Sequence, residues 1–294
     1  MTETLEKIVP AIDALLPPGM AIACEAAGVA KARRNAIDLL VLGLLAGAFI
    51  AFGALFMIVV LTGAAALPWG VGRLLSGLVF SLGLILVIVG GAELFTGDSL
   101  MVMALASRRI SLAALLRAWF LIYLGNICGA LGTAALVFLA GHYTLDEGAV
   151  GKVALSVAAT KATLPTDRLL FLAMLCNVLV CLAVWMSFSA RSAADKVAVI
   201  VPPIAAFVAC GFEHSIANLF FLPYGLAIKL WAGPGFWTSI QQGPATYAQL
   251  TLPSAIHNIA VATLGNIIGG SLMVGAIYWL LYMRRRPELA ASQD

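Results

Sequence analysis

The stretch Gly211-Phe212-Glu213-His214-Ser215-Ile216-Ala217-Asn218 sets a carboxylate, an imidazole, a hydroxyl and a carboxamide inside a run that is otherwise apolar over about 198–229. Such a run is long enough to cross a bilayer, which needs about 20 apolar residues. Polar groups at its middle are costly in lipid unless the backbone there is irregular and faces protein or a water-filled cavity. A broken spanning helix is the consistent reading, with 211–218 folding back toward a passage. An echo lies upstream. Gly91-Ala92-Glu93 interrupts a second over-long apolar run, 71–104, and its irregular part is expected over 93–99.

A second pair of matches extends the echo. Leu124-Gly125-Asn126-Ile127-Cys128-Gly129 corresponds to Leu264-Gly265-Asn266-Ile267-Ile268-Gly269. Apolar stretches at roughly 36–63, 71–104, 112–140, 168–190, 198–229 and 256–283 make six expected spans. The first match then relates spans 2 and 5, and the second relates spans 3 and 6. A shift of three spans reverses direction through the membrane, so the halves form a 3+3 inverted repeat. Corresponding broken helices in two such halves point to a substrate path. The expected fold is therefore an all-α membrane protein of six transmembrane helices, with helices 2 and 5 broken. Gly43/Gly47 and Gly265/Gly269 have the spacing that lets helices approach closely.

Composition agrees. Of 294 residues, 62% are hydrophobic and only 11% charged, against roughly a quarter charged in soluble domains. Mean hydropathy is +1.03. The net charge of +3 is too mild to argue for nucleic acid. Four of the cysteines Cys24, Cys128, Cys176, Cys181 and Cys210 lie in apolar runs and none forms a CxxC, so neither a disulfide framework nor a zinc site is expected. No metal or cofactor is expected.

Residues 1–35 carry scattered charges rather than an unbroken apolar core and are not expected to form a cleavable signal. They read as an N-terminal segment whose 21–32 stretch is a short amphipathic helix. Residues 36–283 form the membrane domain and 284–294 a tail. On the side of the termini lie 12 basic residues: Lys7, Lys31, Arg33, Arg34, Arg108, Arg109, Arg117, Arg191, Lys196, Arg284, Arg285 and Arg286. On the other lie 5: Arg73, Lys152, Lys161, Arg168 and Lys229. That bias predicts cytoplasmic termini.

Several side chains are candidates for chemistry. His214 sits in the helix break within a polar cluster, where an imidazole can donate a hydrogen bond to an anion or exchange a proton near neutral pH. Glu93 and Glu213 read either as pore-lining charges or, preferred here, as carboxylates accepting bonds from backbone N–H groups at the breaks. Asn218 belongs to the same polar set. Thr96 can donate or accept in the break of span 2, or simply bond its own helix. Asn177, alone in span 4, either bonds across helices or faces the passage. Lys161, in the expected loop 158–163, would raise the local anion concentration if it dips into a vestibule. Phe80, Leu84, Phe95 and Phe207 are candidate apolar constrictions.

These residues resemble the formate/nitrite transporter family. The likeness is carried by 90–97 (GGAELFTG), 176–186 (CNVLVCLAVWM), 211–220 (GFEHSIANLF) and 265–270 (GNIIGG), in order along the chain. The resemblance implies an aquaporin-like protomer and a homopentamer with one pore per subunit in a bacterial inner membrane. It implies Thr96, Asn177 and His214 around a central chamber, Lys161 in a vestibule, and Leu84, Phe95 and Phe207 at the constrictions. Asp98-Ser99, after LFTG, falls where the family varies. The expected function is conduction of a small monovalent anion, formate or nitrite, with protons crossing alongside it. Hydrosulfide, acetate and lactate remain open. A neutral-solute channel would share the repeat, but the two Asn-Pro-Ala motifs it would carry are absent. An enzyme is not expected, since no HExxH or GxSxG is present.

Overall fold

The computed structural model describes residues 14–284. The first 13 residues and the tail from 285, with Lys7, Arg285 and Arg286, lie outside the described residues. A first helix, α1 (Pro17–Arg33), buries Met20, Ala21, Cys24, Glu25, Gly28, Val29 and Ala32 along one face. A helix covers the stretch 21–32 and extends further at its start, where Pro17 and Pro18 suit a first turn that has no N–H partner to offer.

The first span, α2 (Ala36–Leu61), starts where the Asn35 side chain accepts from the Asp38 N–H at 2.8 Å. The second begins as α3 (Trp69–Phe80) and α4 (Leu82–Gly90), breaks, and resumes as a 3-10 turn (Gly97–Met101) and the short α5 (Val102–Ala106). The third is α6 (Leu112–Leu139), capped by Ser111. Then follow α7 (Ala149–Ala162), α8 (Thr166–Ser187), α9 (Ala193–Ala209) and α10 (Ser215–Trp231). After the short α11 (Pro234–Ser239), α12 (Leu252–Ile267) passes through a π-helical stretch (Ile268–Ala276) into α13 (Ile277–Tyr282). Capping boxes Ser192/Asp195 and Thr251/Ser254 set the starts of α9 and α12.

Among the described residues, five helical stretches are long and apolar enough to cross a membrane: Ala36–Leu61, Trp69–Gly90, Leu112–Leu139, Thr166–Ser187 and Pro244–Tyr282. The stretch expected as a fifth span is not a single helix. It is two helices of 17 residues each, α9 and α10, separated by the break. The break is shorter than expected, because helix resumes at Ser215 and only 210–214 is irregular. Likewise the interruption near Glu93 opens at Gly91 and closes into the 3-10 turn at Gly97. Gly91 (φ +82°) and Gly211 (φ +74°) supply the left-handed residue at each break, which a side chain with a Cβ would resist.

Helix directions follow from the glycine contacts. Gly43 lies against Ile122 and Gly125, and Gly47 against Asn126 and Ala130, so α2 and α6 run parallel. A Cβ on Gly47 would strike the Asn126 carbonyl, and one on Gly129 the Leu44 carbonyl. Gly265 lies against Leu170 and Ala173, and Gly269 against Met174, so α12 and α8 also run parallel. The chain leaves the far end of α6, turns through α7 and enters α8 from there. Past the end of α8, Ser189 donates to the Leu15 carbonyl ahead of α1 at 2.8 Å. Thus α8 returns to the α1 face, opposite in direction to α2.

Both breaks are sewn to their neighbours by one buried carboxamide each. Asn126 on α6 donates through Nδ2 to the carbonyls of Gly43 (2.8 Å) and Glu93 (3.0 Å), while its Oδ1 accepts from Phe95 N–H (3.0 Å). Asn266 donates to the carbonyls of Ala173 (2.7 Å) and Glu213 (3.0 Å) and accepts from Ser215 N–H (2.9 Å). Glu93 N–H donates to Leu42 C=O (3.2 Å), and Glu213 N–H to Leu172 C=O (3.3 Å). Each set satisfies backbone groups that the helix break would leave bare, and bare groups are not tolerated at membrane depth.

Asn126→Leu and Asn266→Leu keep most of the volume but strand those groups at about 1–3 kcal/mol each. We expect each variant to melt well below wild type in detergent, as read by thermal shift. Asn35→Ala, which removes only an exposed cap, should fall much less, by about 1 kcal/mol or under.

Candidate functional site

Two cavities meet at the broken helices. The larger, about 280 Å³, is lined by Lys161, Glu213 and His214 together with Arg73, Phe80 and Phe207. It opens on the α7 side. Lys161 is on the last turn of α7, not in a loop as expected, and its Nζ donates to Glu213 Oε1 at 2.8 Å. The same Nζ stands 5.4 Å over the Phe221 ring. Glu213 Oε2 accepts from Asn218 Nδ2 (2.7 Å), and the same amide donates to Asn258 Oδ1 (2.7 Å). Asn258 in turn donates to the Lys161 carbonyl (2.9 Å). Arg73 donates to the carbonyls of Ala209 (3.0 Å) and Val208 (2.5 Å) at the end of α9.

The second cavity is a void of about 10 Å³, lined by Ile50, Phe80, Leu84, Leu94, Val180, Ile204, Phe207 and His214. That is room for about one water molecule. Phe80 and Phe207 meet edge to face at 5.5 Å and separate it from the larger cavity. Phe207 also lies 5.8 Å from the imidazole of His214. Side chains therefore close off the space between the two cavities.

His214 is 2% exposed and points into this constricted region, not toward lipid. Its Nδ1 accepts from Ala217 N–H at 3.1 Å, so the imidazole is itself the N-cap of α10. A nitrogen that accepts carries no proton, and the ring proton must then be on Nε2. Nε2 stands 2.9 Å from Thr96 Oγ1. The imidazole is thus a neutral N–H donor toward the threonine hydroxyl.

The sequence of the formate/nitrite transporter family matches residues 19–280 of this chain. The chain belongs to the formate/nitrite transporter family. The formate channel FocA of Escherichia coli (strain K12) is 44% identical over 273 residues, 92% of this chain and 96% of that protein. The formate channel BtFdhC of Bacillus thuringiensis is 34% identical over 268 residues, 90% of this chain and 94% of that protein. A solved structure described as a pentameric formate channel with formate bound superposes with a TM-score of 0.81 at 43% identity, covering 85% of this chain and 98% of its own.

Within this formate/nitrite transporter chain the expected residues fall into two groups. His214, Leu84, Phe80 and Phe207 converge on the constriction, and Lys161 and Glu213 on the vestibule beside it. Thr96 reaches the constriction only through His214. Asn177 takes the cross-helix role: Nδ2 donates to the carbonyls of Thr96 (3.1 Å) and Asn266 (2.6 Å) and to Ser99 Oγ (3.2 Å). Phe95 does not line either cavity. Its ring is wedged against Trp119 (5.8 Å) and Tyr123 (4.8 Å), and the neighbouring Leu94 faces the void instead. Leu94 and Phe95 are consecutive, and consecutive side chains of a non-helical segment point to different sides.

The carboxylates also differ from expectation. Glu93 and Glu213 are satisfied by lysines, not by backbone N–H groups. Lys31 Nζ lies 2.6 Å from Glu93 Oε2, and Lys161 serves Glu213. The Phe95 and Ser215 N–H groups go to the asparagines, the Ala217 N–H to His214, and the N–H groups of the two glutamates to the Leu42 and Leu172 carbonyls. Asn126 and Asn266 stand in the repeated Leu-Gly-Asn-Ile and were legible there as paired polar residues in apolar spans. Lys31 had a signal as well: Lys31-Ala32 on α1 parallels Lys161-Ala162 on α7, each a few residues ahead of a span.

Removing Lys161 isolates a buried carboxylate, and breaking a fully enclosed pair costs about 3–5 kcal/mol. Lys161 borders a cavity, so the loss should be smaller. Lys161→Met is expected to lower the melting temperature in detergent, and Lys161→Met with Glu213→Gln to recover most of it.

Proposed function

We propose that the protein conducts a small monovalent anion, formate first, across a bacterial inner membrane. The observation that carries this is the neutral Nε2–H of His214, held beside an apolar constriction in a chain 44% identical to a formate channel. Formate is small enough to pass where Phe80, Phe207, Leu84 and Leu94 yield. On this reading Lys161 and Arg73 concentrate anions in the α7-side vestibule.

Stripping water from a charged carboxylate in the constriction is costly. A single N–H donor, His214 held by the Thr96 hydroxyl behind it, recovers part of that cost, and protonation of the permeant removes the rest. The cap at Nδ1 bears on where the proton comes from. For His214 to give up a proton and end neutral it must first be an imidazolium, and that requires Nδ1 to release the Ala217 N–H. The permeant is therefore protonated from vestibule water, and His214 escorts it as a hydrogen-bond donor. Proton and formate then cross together without net charge.

The positive-charge bias supports a topology with both termini in the cytoplasm. The exposed apolar side chains of the spans, such as Phe120, Leu136 and Leu281, face lipid or neighbouring subunits. The pentameric solved neighbour supports a homopentameric assembly, and on this reading each subunit carries its own passage.

Proteoliposome uptake tests the reading. Formate is expected to enter rapidly and faster at acid pH, with glycerol excluded in a swelling assay. Parallel arms with nitrite, hydrosulfide, acetate and lactate rank the permeants. His214→Leu, which copies the Leu94 of the other repeat, should cut formate flux by roughly tenfold or more, the scale of losing one well-placed donor. His214→Asn, able both to cap and to donate, should retain a measurable part. Glycerol swelling without formate uptake would refute the assignment.

A further inference from the structure

The repeat allows the two mouths of the passage to be compared residue by residue. Glu93 corresponds to Glu213, and Asp98 stands where the other half has Asn218. Backbone bonds share the correspondence: Asp98 N–H donates to Leu94 C=O, and Asn218 N–H to His214 C=O, both at 2.9 Å. Lys31 corresponds to Lys161. The α7 mouth thus holds a lysine, a glutamate and an amide that donates to that glutamate. The α1 mouth holds a lysine and two carboxylates, because Lys31 Nζ donates to Asp98 Oδ1 as well as pairing with Glu93.

The surrounding charges shift both mouths alike and leave the difference at one charge. At the α1 mouth Arg34 Nη1 is 3.7 Å from Glu93 Oε1, so Lys31 and Arg34 meet Glu93 and Asp98. At the α7 mouth Lys161 and Arg73 line one cavity with a single carboxylate, Glu213. The other groups around Asp98 are neutral. Burial pushes the Cys24 thiol on α1 up to about 12. From α6, the Trp119 indole N–H donates to the Asp98 carbonyl at 3.0 Å. Asp98 is 2% exposed, its Oδ2 has no hydrogen-bond partner among the described residues, and it lines a small cavity with Lys31, Gly97, Val184 and Phe188.

We infer that Asp98 is a specificity-setting residue of the α1 mouth: by occupying Lys31 it weakens anion capture there and makes the two mouths unequal in affinity. This rests on the anion pathway proposed above. A passive path cannot drive net flow at equal concentrations, so maximal rate over half-saturation must be equal from the two sides. The inequality therefore appears in the half-saturating concentration itself, higher from the α1 side, with a correspondingly higher maximal rate. One uncompensated charge in a vestibule should alter it roughly three- to tenfold at low salt, less as salt screens it.

The experiment is formate uptake into inside-out and right-side-out membrane vesicles containing the full chain, over a concentration series. The wild type is expected to show a higher half-saturating concentration from the α1 side. Asp98→Asn, which copies Asn218, should bring that value down to the α7-side value and leave the α7-side value in place. Asn218→Asp should raise the α7-side value reciprocally, which keeps the test open if one variant fails to fold. Equal half-saturation from both sides in the wild type, or an unshifted α1-side value in a folded Asp98→Asn, overturns the inference. Formate uptake in that same series would leave the pathway standing, whereas a wild type that takes up no formate from either side overturns both.

Discussion

Two carboxamides decide whether this fold can exist. A helix that breaks in the middle of a membrane exposes backbone donors and acceptors with no water to meet them. Asn126 and Asn266 each reach from a neighbouring span to the break and to the span beyond it, closing those bonds from the side. The glycine seams make the reach possible, since α2 with α6, and α12 with α8, approach to backbone contact at Gly47, Gly129 and Gly269. A short side chain like asparagine spans such a gap, and it would not span a wider one.

Once the breaks are secured, their polar side chains are free for other work. In one half that work falls to His214. In the other half the equivalent position is Leu94, which only walls the void. The duplicated scaffold therefore presents an imidazole at one break and a leucine at the other, which departs from its own symmetry. The lysines of α1 and α7 show the same duplication used differently, each holding the glutamate of its own half but in different company.

Much of this was legible in the sequence. The apolar runs, the matched Gly-x-Glu and Leu-Gly-Asn-Ile segments and the glycine spacings carry the spans, the breaks and the close helix contacts, because each is a local constraint. His214 and Lys161 were legible as candidates for the same reason: polar groups in apolar surroundings need an explanation. The partners were not legible. The pairing of Lys31 with Glu93 joins residues 62 positions apart, and α1 had no reason in sequence to lie against a break. Phe95 was misplaced because spacing cannot tell which of two adjacent apolar residues, Leu94 or Phe95, turns inward. Lys161 was assigned to a loop because a 14-residue helix between spans carries only a weak periodic signal.

The imidazole that closes the first turn of α10 has a consequence for how such a protein can diversify. Its two nitrogens are committed to different tasks, one to the backbone of its own helix and one to the Thr96 hydroxyl beside the void. A replacement must offer a lone pair in one direction and a hydrogen in the other, across the width of a small ring. Few side chains meet both demands. Novelty in what is carried is accordingly easier to reach by remodelling the walls and entrances than by changing the group at the centre.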